Sequence, residues 1–205
     1  MRKTLLLLLS IAALALPQGV DAGVPDPLTA QLGPLAAQPL DSFRYDWASH
    51  CTGRAQRGAL ALQDWLGAHV PGVSWGIYAC RKVRVGSTLS LHAEGRAVDW
   101  HLDVRHRADR AVADHLIRAF LSPDAAGRPA ALARRMGLQE VIWNCRVWSA
   151  NQPAAGMRPY SVCRPGVSRT NEHKDHLHIG LNRRGAKAQS SFWRLASQAR
   201  ATAAP

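Results

Sequence analysis

The run His173-Lys174-Asp175-His176-Leu177-His178-Ile179 constrains this chain more than any other stretch. In a strand, successive side chains point to opposite faces, so His176 and His178 share one face while Leu177 and Ile179 share the other. Such a strand buries its aliphatic side and presents two imidazoles together. A second segment, Ser90-Leu91-His92-Ala93-Glu94-Gly95-Arg96-Ala97-Val98-Asp99, carries the same residue types. Glu94-Gly95 reads as a turn, and the strand expected after it sets Ala97, Asp99 and His101 on one face and Val98, Trp100 and Leu102 on the other. His92 before the turn and Asp99 beyond it can then meet at one point. Neutral imidazole and carboxylate are what zinc accepts in a catalytic site, where three protein ligands leave a fourth position for water.

Hydrophobic periodicity predicts helices over Gln56–Val70, around Val112–Phe120 and over Pro129–Met136. It predicts strands over Val73–Cys80, Thr88–Leu91, Ala97–Leu102, Glu140–Trp143 and Leu177–Leu181, with an irregular Pro-, Gly-, Ser- and Asn-rich stretch between the last two. Strands and helices do not alternate regularly. The expected class is therefore α+β, with a small, mainly antiparallel central sheet and flanking helices. A chain of 205 residues supplies one sizeable core.

Arg2 and Lys3 precede an apolar run from Leu5 to Leu16 broken only by Ser10, and Val20-Asp21-Ala22 brings small residues to a cleavage position. That pattern reads as a signal peptide over residues 1–22, since a bilayer span needs ~20 apolar residues. The expected protein is secreted, extracellular or cell-wall associated, with no transmembrane anchor. Residues 23–42, with Pro25, Pro27, Pro34 and Pro39, read as an extended Pro/Ala-rich leader, residues 43–195 as the folded domain, and 196–205 as a disordered tail. Four cysteines in an exported chain imply two disulfides. The sequential pairing, Cys51 with Cys80 and Cys145 with Cys163, is favoured because each bond joins the ends of a local segment.

The chain holds 26 Lys and Arg against 14 Asp and Glu, for a formal net charge of +12. Nucleic acid is the obvious acidic partner, but the arginines are spread along the chain without an aromatic RNA-binding strand motif or zinc-finger spacing. The charge reads instead as a salt-sensitive attraction to anionic cell-wall polymers, with no specific nucleic-acid partner. Neither a glycine-rich phosphate loop nor the Gly-x-Ser-x-Gly elbow of a serine hydrolase is expected in this chain.

Ser-x-His-x-x-Gly-x-Ala-x-Asp over Ser90–Asp99, followed by the distal His176-x-His178, resembles the signature of the zinc D-Ala-D-Ala carboxypeptidases. Their superfamily also holds the lysostaphin-type endopeptidases and the hedgehog signalling domain. The longer context is similar to secreted bacterial extensin-like or peptidase-like domains of that superfamily. It covers Tyr78-Ala79-Cys80-Arg81, Leu91–Trp100, Ala133–Leu138, Val141–Asn144, His173–Ile179 and Ser191-Phe192-Trp193.

The resemblance implies a hedgehog/DD-peptidase-like fold and a metallopeptidase that hydrolyses peptide bonds in peptidoglycan stems, as a D,D-carboxypeptidase or an endopeptidase. The alternative is a catalytically inactive zinc-bearing binding module at the cell wall. Carried over by position, the resemblance makes His92, Asp99 and His178 the zinc ligands. Asp175, three residues before the last ligand, or His176, the first His of the pair, is the base. Asp175 stands where the family has Glu. Arg81 or Arg96 would bind a substrate carboxylate, with Arg146 a further candidate for the carboxylate or the oxyanion. Ser90 lies beside the substrate site and supports the turn or His92.

Overall fold

The computed structural model describes residues 38–83 and 88–203. The expected signal peptide and leader residues 23–37 lie outside that range. Six strands form one antiparallel sheet in the order β1-β2-β6-β3-β4-β5. They are β1 (Val73–Gly76), β2 (Ala97–His101), β3 (Leu138–Trp143), β4 (Arg146–Ser149), β5 (Arg158–Pro159) and β6 (His176–Leu181). Among the described residues five α-helices accompany them: α1 (Arg57–His69), α2 (Arg107–Leu121), α3 (Ala131–Met136), α4 (Arg183–Ala186) and α5 (Ser191–Ala203). This is the expected α+β class.

The sheet has one apolar face. Val98 and Trp100 of β2, Leu177 and Ile179 of β6 and Val141 of β3 are buried in the core. Helices supply the other layer. α1 contributes Ala59, Leu62, Trp65 and Leu66, and α2 contributes Ala113, Leu116, Ile117 and Phe120, each set recurring at helical spacing. α2 ends at Leu121, just before Pro123 stops it.

Four local expectations are corrected. β1 covers only Val73–Gly76 of the strand expected to Cys80, because the register shifts between Ser74 and Gly76 and the chain then leaves the sheet. Thr88–Leu91 makes only isolated bridges at Leu89 and then winds into a 3-10 turn over Leu91–Glu94. The stretch read as irregular holds β4, β5 and a 3-10 turn over Pro153–Ala155. The Ala-rich tail continues α5 to Ala203, in keeping with the high helix propensity of alanine.

The segment before α1 is bound to the domain by polar contacts. Arg134 Nε donates to the Asp41 carbonyl at 2.7 Å, and Asp41 Oδ2 accepts from the Ser191 amide at 2.9 Å. The Asp46 amide donates to Gln139 Oε1 at 3.0 Å, and Asp46 Oδ2 accepts from the Arg183 amide at 2.8 Å. Both disulfides form in the favoured pairing, Cys51–Cys80 and Cys145–Cys163. Among the described residues no helix is long and apolar enough to cross a membrane.

Candidate metal centre

The three strands β2, β6 and β3 build the site through their pairing. Asp99 stands opposite His178, His101 opposite His176, and Ile142 opposite His178. Directly opposed residues of an antiparallel pair point to the same face. Asp99, His176 and His178 therefore emerge together on the side away from the apolar core. Glu140, opposite Gly180, joins them. Gly180 has a steric reason: a Cβ there would come within 2.8 Å of Glu140 Cγ and 2.4 Å of Leu91 Cδ1. Glycine leaves the space that the Glu140 side chain occupies.

His92 arrives from outside the sheet, on the 3-10 turn. Ser90 caps that turn by accepting the His92 amide on its Oγ at 3.3 Å. Gly95 ends it with φ of 64°, where a Cβ would meet the Arg54 carbonyl oxygen at 2.0 Å. Only glycine fits both conditions. The His92 carbonyl accepts the Ala79 amide at 3.1 Å and the Ala93 carbonyl accepts the Thr52 amide at 2.9 Å. The Cys51–Cys80 bond thus staples both segments that hold this turn.

The three expected ligands converge. His92 Nε2 lies 3.1 Å from Asp99 Oδ1 and 3.1 Å from His178 Nδ1, and His178 Nδ1 lies 2.9 Å from Asp99 Oδ1. The opposite ring atoms fix the tautomers. His92 Nδ1 is 2.8 Å from the Ile77 carbonyl, which can only accept, so that nitrogen carries the proton. His178 Nε2 donates to Glu140 Oε1 at 3.1 Å. Each neutral ring then turns a bare lone pair toward the carboxylate oxygen. Three such acceptors at this separation repel one another unless a cation or a proton lies among them.

The donor set fits zinc. Nitrogen and oxygen ligands about 2.0–2.2 Å from a tetrahedral ion stand roughly 3.3–3.6 Å apart, a few tenths of an ångström more than the separations here, and each ligating imidazole normally donates its far N–H to a carbonyl or carboxylate. His92 and His178 do so. A second grouping, Cys145, Cys163 and Glu172, offers no thiolate because its two sulfurs are bonded to each other.

Electrostatics follow the geometry. Burial would raise the Asp99 carboxyl, but its contacts with His178 and His92 outweigh it and hold the group well below the carboxylate range. Burial would depress His178, yet its contacts with Asp99 and Glu140 raise it to about 9. Glu140 is likewise held low despite burial, by His178 and by Tyr45, whose hydroxyl donates to Glu140 Oε2 at 2.8 Å.

The two candidate bases occupy different places. β6 begins at His176, so Asp175 lies outside the strand and does not line the cleft. Its Oδ1 accepts from His176 Nδ1 at 2.9 Å and its Oδ2 from the Thr170 hydroxyl at 2.7 Å. His176 Nε2, on the other side of the ring, is 3.6 Å from Asp99 Oδ1. Burial lowers the His176 pKa and favours the neutral ring. His173 hangs over the centre from a loop, its ring centroid 4.7 Å from that of His176 and 5.6 Å from that of His178. The loop is held because the Asn144 and Cys145 amides donate to the His173 and Glu172 carbonyls, beside the Cys145–Cys163 bond.

A cleft of about 700 Å³ opens over the centre. Asp99, His176, His178, Glu140, His173, Tyr160, Ser90 and Arg81 all line it. Arg96 does not, and this corrects the expectation that it binds substrate. It is 1% exposed and donates to Glu94 Oε2 at 2.6 Å, Gln139 Oε1 at 3.0 Å and the Leu181 carbonyl at 2.6 Å, as well as to the Asp46 carbonyl. Arg146 donates to the Met157 carbonyl and lies off the cleft.

Sequence reasoning missed Glu140 and Tyr45. The signal for Glu140 was its period: one acid at the same parity as Ile142 in a strand whose only other polar residue is Gln139. Tyr45 lies before the first helix, where no period speaks. Gly72-Val73-Ser74-Trp75-Gly76 has the Gly-x-Ser-x-Gly spacing of a serine-hydrolase elbow, which corrects the expectation that the chain carries none. Ser74 sits within β1, and its hydroxyl donates to Gln63 Oε1 at 2.7 Å, so the strand-to-helix turn of such an elbow is absent there.

No curated protein and no solved structure matches this chain. One family does, described as VldE, C-terminal domain, over residues 48–176. The matched span holds His92, Asp99, Glu140 and His176 and covers more than half of the sequence. The chain belongs to the family of the VldE C-terminal domain.

Proposed function

We propose that this protein is an exported zinc-dependent peptidase acting on the peptide stems of cell-wall peptidoglycan. One observation carries the reading: two imidazoles with outward tautomers fixed by Ile77 and Glu140 turn their lone pairs onto the Asp99 carboxylate, beneath an open cleft. The hydrolytic fold resemblance of Ser90–Asp99 and His176–His178 supplies the substrate class. The two disulfides suit an oxidising compartment, which supports export.

His92, Asp99 and His178 would hold the ion. A bound zinc ion supplies Lewis-acid polarisation of a carbonyl and of water. His176 is the base. Its Nδ1–H is held by Asp175, which leaves Nε2 free to take the proton of the attacking water and later to pass it to the leaving amine. Asp175 orients His176 and does not meet the water itself. Burial first, then the nearby Glu140 charge, raises Tyr160 to about 12, so its phenol remains a hydrogen-bond donor within the cleft. Arg81, exposed at the cleft wall, suits a substrate carboxylate. The net positive charge would favour retention near anionic wall polymers.

The test is metal content followed by turnover. The purified protein should bind one zinc and release D-Ala or cleave cross-links from muropeptides, and His176→Ala should abolish turnover while keeping the metal. Stoichiometric zinc without turnover on any wall preparation would overturn the peptidase reading and leave a zinc-bearing binding module.

A further inference from the structure

The pairing of the sheet continues the metal centre into a straight row. Asp99 opposes His178, His178 opposes Ile142, Ile142 opposes Val147, and Val147 opposes Arg158. All five point to one face, and all five line the cleft. The row runs from the ligands, across an aliphatic floor of Ile142 and Val147, to a guanidinium on the edge strand β5.

Arg158 differs from the arginines around it. Arg96 is saturated by buried acceptors, Arg169 pairs with Asp103 at 2.7 Å and Arg146 donates to a carbonyl. Among the described residues the Arg158 side chain has no hydrogen-bond or ion-pair partner, and its Nη1 is buried. A buried, unpaired N–H of a charged group is unfavourable, and an oxyanion in the cleft would relieve it.

Distance sets what that oxyanion belongs to. Three strand spacings separate Arg158 from His178, ~14 Å between their Cα atoms, or about four extended residues at ~3.3 Å each. The length of the arginine side chain shortens the gap. An anion held there belongs to a residue roughly two to four positions from the bond over the metal centre, and not to a terminal carboxylate adjoining that bond.

We propose that Arg158 forms a subsite for a carboxylate borne by the substrate two to four residues from the cleaved bond, so that the cleft selects acidic peptides laid across Ile142 and Val147. The nature of the ligand rests on the peptidase reading; the anion subsite itself does not need turnover. The test uses the full protein, with and without zinc, and N-acetylated, C-amidated alanine peptides in which a single L- or D-Glu is walked along the chain. Each has a Gln twin, and binding is measured by calorimetry. At one register the Glu peptide should bind roughly tenfold more tightly than its twin, the scale of one charge-assisted hydrogen-bonded pair. That preference should vanish in Arg158→Met, persist in part in Arg158→Lys, and survive in Arg146→Met, which lies off the cleft. Thermal melting checks that each variant is folded. Equal binding of Glu and Gln peptides at every register, or a preference that survives Arg158→Met, overturns the proposal. A Glu preference without hydrolysis of any peptide counts against the peptidase reading alone.

Discussion

Two buried clusters of charged and polar groups flank Ala97, and they are balanced differently. On one side Glu94 and Arg96 form an ion pair at 2.6 Å, and every side-chain nitrogen and carboxylate oxygen of the pair has a protein partner. Arg96 reaches Gln139 and two carbonyls, while Glu94 Oε1 accepts from the Ser49 amide at 2.7 Å and from Arg183 at 3.0 Å. On the other side His92, Asp99 and His178 bring three acceptors within 3.1 Å of one another, with their protons committed outward. The first cluster is complete and joins the segment before α1 to the sheet. The second is complete only with a cation or an added proton. Burial alone therefore separates neither structural from functional charge; the count of donors against acceptors does.

Breaking the first cluster should give the largest effect. Arg96→Met leaves Glu94 buried without its main partner and should lower the unfolding free energy by about 3–5 kcal/mol, measured by urea titration with the disulfides intact. The corresponding change in the second cluster, Asp99→Asn, should weaken zinc binding roughly a hundredfold or more while shifting the metal-free urea midpoint far less. Competition with a chromogenic chelator measures the former.

A smaller effect sharpens the role of the outer partners. Glu140→Gln removes the carboxylate that orients His178 and should weaken zinc binding about ten- to hundredfold. Gly180→Ala should act in the same direction, because its new Cβ would displace Glu140. If Gly180→Ala lowered stability but left zinc affinity unchanged, Glu140 would not be the group that positions His178.

The smallest effect is in pH. In the metal-free protein His178 is raised to about 9 from its ordinary value of 6.5. A group raised on folding stabilises the fold fully below its unfolded pKa and loses that contribution as pH climbs through the folded one. The metal-free protein should thus lose stability between about pH 6.5 and 9, by thermal melting. The zinc-loaded protein should lack this decline, since an ion replaces the proton.

The shared face of Asp99, His176 and His178 was legible because strand alternation is a local rule, whereas His92, on a turn outside the sheet, was set beside Asp99 by the expected Glu94-Gly95 turn and by the resemblance. Which of Asp175 and His176 faces the centre turned on where β6 begins, a boundary that alternation alone does not set. Arg96 was misread for a related reason. Its saturation depends on Asp46, Gln139 and Leu181, which are far away in the chain. β4 and β5 were hidden by turn-forming residues, and with them went Arg158, whose place in the row requires four strands to be paired in register.

The contacts of Asp41, Tyr45 and Asp46 carry a practical consequence for where the folding unit starts. A boundary drawn at the first helix, Arg57, would remove the hydroxyl bonded to Glu140, two acceptors from the Asp46 contacts and Cys51 with its disulfide. A boundary at Phe43 would still strip Asp41 from the start of α5. The shortest fragment worth expressing begins no later than Gln38, whose carbonyl accepts from Arg135 at 2.9 Å. Truncation from this end should be felt first in α3 and α5, which Gln38 and Asp41 hold, and at Glu140 and the candidate centre only once Tyr45 is lost.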